Sequence, residues 1–355
     1  MNAIATASGS TQQHAAASPR RRAFLGSIAA LGASALVPGC ASVESGAAAR
    51  RIDVHHHIAP PSYSAALKAM MRGHAPWSVE KSLEDMDKSG IATAITSLIN
   101  PGLQAWPSDV PGARKIARES NEYAARLVRD HPGRFGSFAS IPFPDVDGCM
   151  REIEHAMDTL KADGIYLWTS YGGKLLGDPA FFPILEELNR RKAVVYTHPA
   201  TPACCANVMP WISINAIEGP VDTTRTMISL VFQGGAARYP DIRWIFSHSG
   251  GVTPFLLSRF ERHMIDGKGA KEKAPNGPLY ELRKFYYDTA QGNHPGALAA
   301  LTKLAPVSQI LYGTDFPFRD GAEENAGLGA QGFSAADMRA INRENALRLL
   351  PRLRA

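Results

Sequence analysis

Cysteine is scarce in this sequence, and its pattern excludes two classes of protein. Only four cysteines occur among 355 residues, at positions 40, 149, 204 and 205. Without Cys40, which precedes the main body of the chain, three remain, and an odd number excludes a disulfide framework. Cys204 and Cys205 are adjacent, so they can form only a vicinal bond with each other. Because neither belongs to a C-x-x-C pair, a thiolate zinc site is not expected.

The sequence also lacks the features of nucleic-acid-binding and repeat proteins. No basic run with interleaved aromatic residues follows Arg50, and part of the formal net charge of +5 comes from Arg20-Arg21-Arg22. We therefore expect no nucleic-acid partner. Tandem repeats and internal linkers are absent as well. With 45% apolar and 20% charged residues, the composition is that of a folded soluble protein.

The first 49 residues have the pattern of a tail followed by an export signal. An Ala/Ser/Thr/Gln-rich stretch precedes three arginines and a mild apolar run over residues 23–37, which is too short for a membrane span. Arg21-Arg22-x-Phe24-Leu25 resembles the twin-arginine export motif. We therefore predict that residues 1–49 are a disordered tail and signal segment. The protein is then exported to the periplasm or cell envelope, or cytoplasmic if the signal is not used.

The end of this segment has two interpretations. Val37-Pro38-Gly39-Cys40 resembles a bacterial lipobox, which would place a lipid on Cys40, although Pro38 departs from that pattern. Ala47-Ala48-Ala49 is typical of a cleavage site that releases a soluble protein. A lipid on Cys40 is thus the membrane attachment that the sequence offers, and both alternatives stay open.

From residue 50 onward, apolar β-branched runs alternate with helical patterns. Most runs are almost continuously apolar, as parallel strands covered on both faces require. The predicted strands are 52–57, 91–99, 135–141, 164–169, 193–198, 242–248, 285–289 and 310–314. Eight strand–helix alternations predict one α/β domain over residues 50–355, a (β/α)8 TIM barrel. A doubly wound open sheet is the alternative, but no glycine fingerprint follows the first strand.

Candidate metal ligands stand at the ends of four predicted strands. The first strand ends in a run of three histidines, and because strand side chains alternate, His55 and His57 share one face. The fifth, sixth and eighth strands end near His198, His248 and Asp315. The carboxyl ends of barrel strands meet at one rim, where catalytic groups collect. Four coincident strand ends favour a metal centre over unrelated buried polar residues.

These residues resemble the amidohydrolase superfamily, and more closely its amidohydrolase-related branch, which contains aminocarboxymuconate-semialdehyde decarboxylase and the aromatic-acid decarboxylases. The resemblance rests on four motifs, Ile52-Asp53-Val54-His55-His56-His57, Thr197-His198-Pro199, Ser247-His248-Ser249-Gly250-Gly251 and Gly313-Thr314-Asp315-Phe316-Pro317-Phe318. Asp222-Thr223-Thr224-Arg225 and the double cysteine are similar to the 6-methylsalicylate decarboxylase group. The resemblance extends from about Ile52 to the last helix.

The resemblance implies a mononuclear metal site. His55, His57, His198 and Asp315 would bind one divalent ion, with Zn²⁺ expected and Mn²⁺ as the alternative, since the ligands are nitrogen and carboxylate without thiolate. The lysine that usually accompanies a second metal at the end of strand four is replaced by Trp168-Thr169-Ser170. No organic cofactor is expected.

The resemblance also implies roles beyond metal binding. His248 would act as an acid or base beside the metal-bound water, or be a direct fifth ligand, and Asp315 would be both ligand and proton acceptor. Arg259 would bind a substrate carboxylate across a subunit boundary, which predicts a homodimer. Asp288, at the end of the seventh strand, is expected to form hydrogen bonds at the rim. Asp53 would either orient a ligand or cap local backbone.

Two enzymatic reactions fit this ligand set. The first is non-oxidative decarboxylation of a small aromatic or muconate-like carboxylic acid, such as 6-methylsalicylate. The second is hydrolysis of a lactone, ester, amide or C–C bond by metal-activated water. A non-catalytic metal-binding barrel is a third hypothesis, which the complete ligand set disfavours.

Overall fold

The computed structural model describes residues 51–202, 204–205 and 207–354. The predicted tail, the twin-arginine-type signal and Cys40 lie outside this range, so those assignments stay predictions. Among the described residues, eight parallel strands form a nearly closed barrel and are hydrogen-bonded to one another in chain order. This is the α/β barrel that the alternating pattern predicts, rather than a doubly wound open sheet.

All eight predicted strands are present. They are β1 (Arg51–Ile58), β2 (Ile91–Leu98), β3 (Phe135–Ser140), β4 (Gly164–Trp168), β5 (Val194–His198), β6 (Arg243–Phe246), β7 (Tyr286–Asp288) and β8 (Ile310–Leu311). The last is shorter than predicted because the backbone beyond Leu311 leaves β7 and turns towards β1. A small antiparallel hairpin, Ser170–Tyr171 with Lys174–Leu175, follows β4.

Helices connect the strands and cover the outside of the barrel. The longer ones are α1 (Pro61–Ala69), α2 (Val79–Ser89), α3 (Val110–Asp130), α4 (Val146–Glu154), α5 (Phe182–Arg190), α6 (Ile214–Phe232), α8 (Leu257–Asp266), α11 (Pro295–Leu304) and α12 (Gly321–Gly329). The short ones are α7 (Gly235–Arg238), α9 (Ala270–Lys273), α10 (Pro278–Leu282), α13 (Ala335–Arg339) and α14 (Asn345–Leu349). None of the helices in the described part of the chain is long and apolar enough to span a membrane.

Local sequence signals set the helix ends. Ser78 caps α2 by accepting a hydrogen bond from the Lys81 backbone N–H, and Gly90 ends the same helix with a left-handed φ of 66°. Because glycine adopts this conformation without steric cost, the chain reverses within one residue and enters β2.

The barrel interior is filled by stacked rings below the rim. Tyr196 packs face to face against Phe138 and Tyr166, with ring centroids 5.2 and 6.0 Å apart. These side chains are almost completely buried, so each contributes about 2 kcal/mol or more of hydrophobic stabilisation. The packed interior forms a rigid floor beneath the histidines at the rim.

Hydrogen bonds between β1 and the segment after β8 close the barrel. The Val54 N–H donates to the Tyr312 carbonyl at 3.0 Å, and the His57 N–H donates to the Phe316 carbonyl at 2.8 Å. Buried Asp53 accepts from the His55 N–H at 2.9 Å and from the Thr314 hydroxyl at 2.7 Å. Asp53 therefore ties the two ends of the barrel together, which favours its predicted backbone role.

Candidate active site

The structure brings all five predicted metal and acid–base residues together around one carboxylate. Asp315 Oδ1 lies 3.1 Å from His55 Nε2, 3.0 Å from His57 Nε2 and 3.9 Å from His198 Nε2. Its other oxygen, Oδ2, lies 3.3 Å from His248 Nε2. The two carboxylate oxygens therefore face different partners, three histidines on one side and His248 on the other.

A subset of these groups has the spacing of a metal site. One ligand atom from each of His55, His198, His248 and Asp315 lies within 4.8 Å of every other. His57 stands beside this subset, since its Nε2 contacts Asp315 Oδ1. The geometry thus accommodates His248 as a direct ligand as readily as an acid or base. The predicted division of roles between His57 and His248 stays a prediction.

Two buried nitrogen atoms at the centre lack hydrogen-bond partners. The Nε2 atoms of His55 and His198 are inaccessible to solvent, and although both face Asp315 Oδ1, neither has the geometry of a hydrogen bond to it. A buried polar atom without a partner is costly, and in native sites it often marks a ligand position. Imidazole nitrogens around one carboxylate suit a divalent cation such as Zn²⁺ or Mn²⁺. The residues present therefore fit the implied metal.

Asp288 orients two members of the site. Its Oδ2 lies 2.9 Å from His55 Nδ1 and accepts a hydrogen bond from the Tyr196 hydroxyl at 3.1 Å. Its Oδ1 accepts from the His248 backbone N–H at 2.8 Å. A carboxylate on Nδ1 holds the proton there and leaves Nε2 free to bind a cation. Asp288 thus forms the rim hydrogen bonds predicted for it, and they reach two residues of the candidate metal site.

The other histidines are oriented by uncharged hydrogen-bond partners. His57 Nδ1 lies 3.2 Å from the Ser97 hydroxyl, and His248 Nδ1 lies 3.0 Å from the Ser247 hydroxyl. His198 Nδ1 lies 3.2 Å from the Pro199 carbonyl. Each contact directs the Nε2 atom towards Asp315, so all four imidazoles present the same ring nitrogen.

The charges of the site depend on mutual proximity as well as burial. Burial opposes the ionised form of Asp315, but His55 and the other imidazoles outweigh it and hold the pKa of this carboxyl well below its usual range. Burial lowers the pKa of His55, yet Asp315 and Asp288 reverse the effect and raise it to about 10 when no ion is bound. A cation that binds His55 Nε2 therefore displaces a proton from this ring. For His198 burial dominates and lowers the pKa to about 3. Asp315 is therefore ionised, and its negative charge favours binding of a cation at this site.

Gln291 is a site residue that sequence reasoning missed. Its side-chain amide donates a hydrogen bond to Asp315 Oδ2, and its backbone N–H donates to the buried Glu324 carboxylate at 2.9 Å. An amide after β7 belongs to no metal-binding pattern, so nothing in the sequence distinguished it. The structure gives Asp315 Oδ2 two neighbours, Gln291 and His248, which leaves Oδ1 facing the other three histidines.

Backbone strain is concentrated at the same place. His248, Gln291 and Asp315 have φ values of 54°, 49° and 69°, in the left-handed region that residues with a side chain rarely adopt. Each such residue costs on the order of 1 kcal/mol or more and persists where its surroundings require it. The strained backbone turns these three side chains towards a common point.

His56 faces the opposite side of β1, as strand alternation predicts. Its ring stacks on Phe316 at a centroid distance of 4.6 Å, and its ring nitrogens lie 3.1 Å from Asp53 and 3.0 Å from the Ser82 hydroxyl. Its hydrogen-bonding capacity is satisfied by structural partners. His56 therefore helps to hold β1 in place and does not enter the metal cluster.

A cavity of about 580 Å³ opens above the cluster. His198, His248 and Asp315 form its polar end, and Phe318, Phe255 and several prolines and small residues form its apolar wall. Arg259 is exposed on α8 and does not line this cavity in its own chain. Its predicted reach into a partner subunit stays a prediction. The volume suits a small organic ligand.

A second cavity of about 660 Å³ lies over the ends of β3 and β4. Its lining includes Trp106, Phe143 and Tyr171 but none of the metal-site residues. Cys204 is part of its wall and forms a vicinal disulfide with Cys205, while Cys149 is free and buried. The adjacent cysteines are thus paired with each other, and within the described residues no disulfide framework exists.

Comparisons with known proteins agree with this architecture. A family model described as amidohydrolase matches residues 52–352. The chain is 38% identical to decarboxylase yanB of Aspergillus niger, over 85% of this chain and 88% of that one. It is 34% identical to 6-methylsalicylic acid decarboxylase of Penicillium expansum, over 86% and 97%.

A solved structure shares the fold. It is a dihydroxybenzoic acid decarboxylase from Polaromonas sp. JS666 with bound manganese and the inhibitor 2-nitroresorcinol. The TM-score is 0.76 with 22% identity, and the match covers 86% of this chain and 98% of that chain.

Proposed function

The chain belongs to the amidohydrolase family, and from that membership we propose that it is a metal-dependent carboxy-lyase acting on a small aromatic carboxylic acid. A 6-methylsalicylate-like compound is the proposed substrate, and a muconate-like acid is the wider class. The observation that carries the proposal is the ring of imidazoles around Asp315 at the floor of a cavity with an apolar wall. The decarboxylase relatives at 34% and 38% identity support the reaction type.

The chain's own residues have two proposed tasks, binding a metal ion and transferring a proton. His55, His57, His198 and Asp315 would hold one divalent ion, Zn²⁺ or Mn²⁺, and His248 stands at its edge. A bound ion would supply Lewis-acid polarisation of the substrate's oxygen atoms. Asp288 and Gln291 fix the orientation of His55 and Asp315, so the ligands need little reorganisation.

Decarboxylation needs one proton and one broken bond. The bond between the ring carbon and the carboxylate breaks, its electron pair stays on the ring, CO₂ leaves, and a proton replaces it on the ring carbon. We assign proton delivery to His248, because imidazole transfers protons near neutral pH and this ring faces the cavity beside Asp315. Phe318 and Phe255 on the apolar wall would receive the aromatic ring.

Activity on a panel of acids tests the proposal. Full-length protein loaded with Zn²⁺ or Mn²⁺ is incubated with hydroxybenzoates, including 6-methylsalicylate, and with aryl lactones and esters. We expect CO₂ release together with a product lighter by one carboxyl group, and no activity in His248→Ala protein that retains its metal. A gain of water without CO₂ would establish the hydrolase alternative instead.

Two further proposals concern assembly and location. A homodimer in which Arg259 reaches the partner's cavity is proposed from the family resemblance, and sedimentation of the purified protein tests it. Export through the twin-arginine-type segment is proposed from residues 1–49, and replacing Arg21 and Arg22 by lysine in the producing cell tests it. Retention of the double variant in the cytoplasm is the expected result.

A further inference from the structure

The cavity of about 580 Å³ above the histidine cluster is called the metal cavity below. Among the described residues, Arg319 is the single lysine or arginine that lines it. It follows Asp315 by four positions, on the segment that leaves the rim after β8. Its backbone N–H donates to the Asp315 carbonyl at 3.3 Å, which anchors this segment to the metal ligand. A positive side chain is therefore held at the edge of a cavity whose floor carries the cluster.

The guanidinium of Arg319 is available to a ligand. Its Nη1 lies 3.5 Å from Glu323 Oε1, and the two side chains are 48% and 54% exposed. An exposed pair four residues apart contributes only about 0.5 kcal/mol. A carboxylate that enters the cavity can displace Glu323 at little cost, because guanidinium forms two parallel hydrogen bonds with a planar carboxylate.

The arginine predicted from the family resemblance occupies a different position. Arg259 is exposed on α8 and is absent from the lining of its own chain's cavity. Arg259 requires a second chain to reach substrate, whereas Arg319 already lines the cavity within one chain. Recognition of the substrate's charge by Arg319 therefore does not require a partner subunit.

We propose that Arg319 binds the anionic group of the substrate from within the same chain. This inference rests on the proposed function and deepens it: the substrate is an organic acid whose charged group faces Arg319 while its ring lies against Phe318 and the apolar wall. The ion pair stabilises the bound substrate, and it persists in the transition state only as far as the carboxylate still carries its charge before CO₂ forms. It therefore lowers KM and does not raise kcat.

The test compares arginine variants on the metal-loaded full-length protein. Arg319→Gln removes the charge, Arg319→Lys keeps it, and Arg262→Gln removes an exposed arginine that pairs with Asp266 on α8, away from the cavity. Calorimetry measures the Kd of benzoate, with uncharged phenol as the matched ligand without a carboxylate. Steady-state kinetics gives kcat and KM, and elemental analysis confirms that each variant retains its metal.

We expect a loss of affinity that is specific to the charged ligand. Arg319→Gln should weaken benzoate binding by about tenfold or more and raise KM similarly, as expected for a charged hydrogen-bonded pair. We expect kcat and phenol binding to change by less than about twofold, Arg319→Lys to recover part of the loss, and Arg262→Gln to match the unaltered protein. Equal benzoate affinity in Arg319→Gln would overturn the inference. An Arg259→Gln variant is measured in parallel, and a loss of benzoate affinity confined to it would also overturn the inference and assign recognition to the partner subunit.

Binding and turnover separate this inference from the proposed function. If benzoate binding depends on Arg319 but no acid in the panel releases CO₂, the decarboxylase proposal fails and the recognition role stands. If CO₂ is released while Arg319→Gln leaves both Kd and KM unchanged, the recognition role fails and the decarboxylase stands.

Discussion

The two cavities at the barrel rim differ in chemistry far more than in size. The metal cavity, about 580 Å³, has imidazoles and a carboxylate at its floor. The second, about 660 Å³, lies over β3 and β4, and its wall includes three aromatic side chains and four prolines. The larger and more apolar cavity thus has none of the histidines that surround Asp315. The cluster of imidazoles around one carboxylate and the strained backbone of His248, Gln291 and Asp315 distinguish the candidate active site. Cavity volume does not distinguish it.

The most severe way to abolish this difference is to neutralise the shared carboxylate. Asp315→Asn leaves four imidazoles without the anion that faces all of them, so metal affinity should fall by at least about a hundredfold and CO₂ release should be lost. Elemental analysis after dialysis measures the metal. Asp130→Asn, an exposed substitution on α3, is the control. Full metal content in Asp315→Asn would contradict the assignment of the site.

Removing the support beneath the ligands should have a smaller effect. Asp288→Asn keeps the shape of the side chain but no longer fixes the proton on His55 Nδ1. We expect metal affinity to fall by about 10- to 100-fold, with the fold retained. Competition with a chelator measures the affinity, and circular dichroism checks the fold. An unchanged affinity would show that Asp288 is only a structural partner of the His248 backbone.

The Gln291 amide offers a finer test of the polar cavity. Gln291→Ala removes the hydrogen bond to Asp315 Oδ2, and we expect metal affinity to fall by about three- to tenfold, since one donor to a ligand is lost. Gln233→Ala, an exposed change at the end of α6, is the matched control. If both variants bind metal as tightly as the unaltered protein, the amide does not orient Asp315.

A buried acid beneath Gln291 predicts a pH dependence of stability. Burial raises the pKa of Glu324 to about 8 from the ordinary 4.5. Between these values the unfolded chain has released its proton while the folded protein keeps it, so stability falls as pH rises towards 8. Glu324→Gln should remove this decline, by up to a few kcal/mol. Thermal unfolding at pH 5 and pH 8.5 measures it, and parallel pH dependences of Tm in both proteins would refute the prediction.

The smallest effect is expected in the second cavity. Trp106→Phe changes one of its aromatic walls while keeping most of the packing volume. We expect metal affinity and turnover to stay within about twofold of the unaltered protein, since no lining residue is shared with the metal cavity. A change beyond that range, measured by the same chelator competition, would show that the two cavities are coupled.

The sequence predicted the barrel well because its strands are covered on both faces. Continuous apolar runs such as residues 193–198 are a strong signal for buried parallel strands, and the polar residue that ends each run marks the rim. His55, His198, His248 and Asp315 were predictable for this reason. Their convergence followed from barrel topology alone, without knowledge of side-chain contacts.

What the sequence could not predict depends on how loops fold over the rim. Gln291 reaches Asp315 because its backbone adopts a left-handed conformation. Glycine and asparagine are the residue types that usually indicate this conformation, and a glutamine gives no such signal. Arg319 lines the cavity because the chain turns after Asp315, with the Arg319 N–H donating to the Asp315 carbonyl. Whether His57 or His248 completes the metal set depends on side-chain positions at the rim, which no residue pattern encodes.

The closure of the barrel by Asp53 has a consequence for how the protein is made. The two sides of the site are separated in the chain, since Asp53, His55 and His57 precede Thr314 and Asp315 by some 260 positions. During synthesis the first histidines leave the ribosome long before their carboxylate partner exists. A chain released before residue 312 has neither the closing hydrogen bonds nor the shared anion. Tight metal binding therefore requires both ends of the barrel, and a truncated product purified from cells should contain little metal.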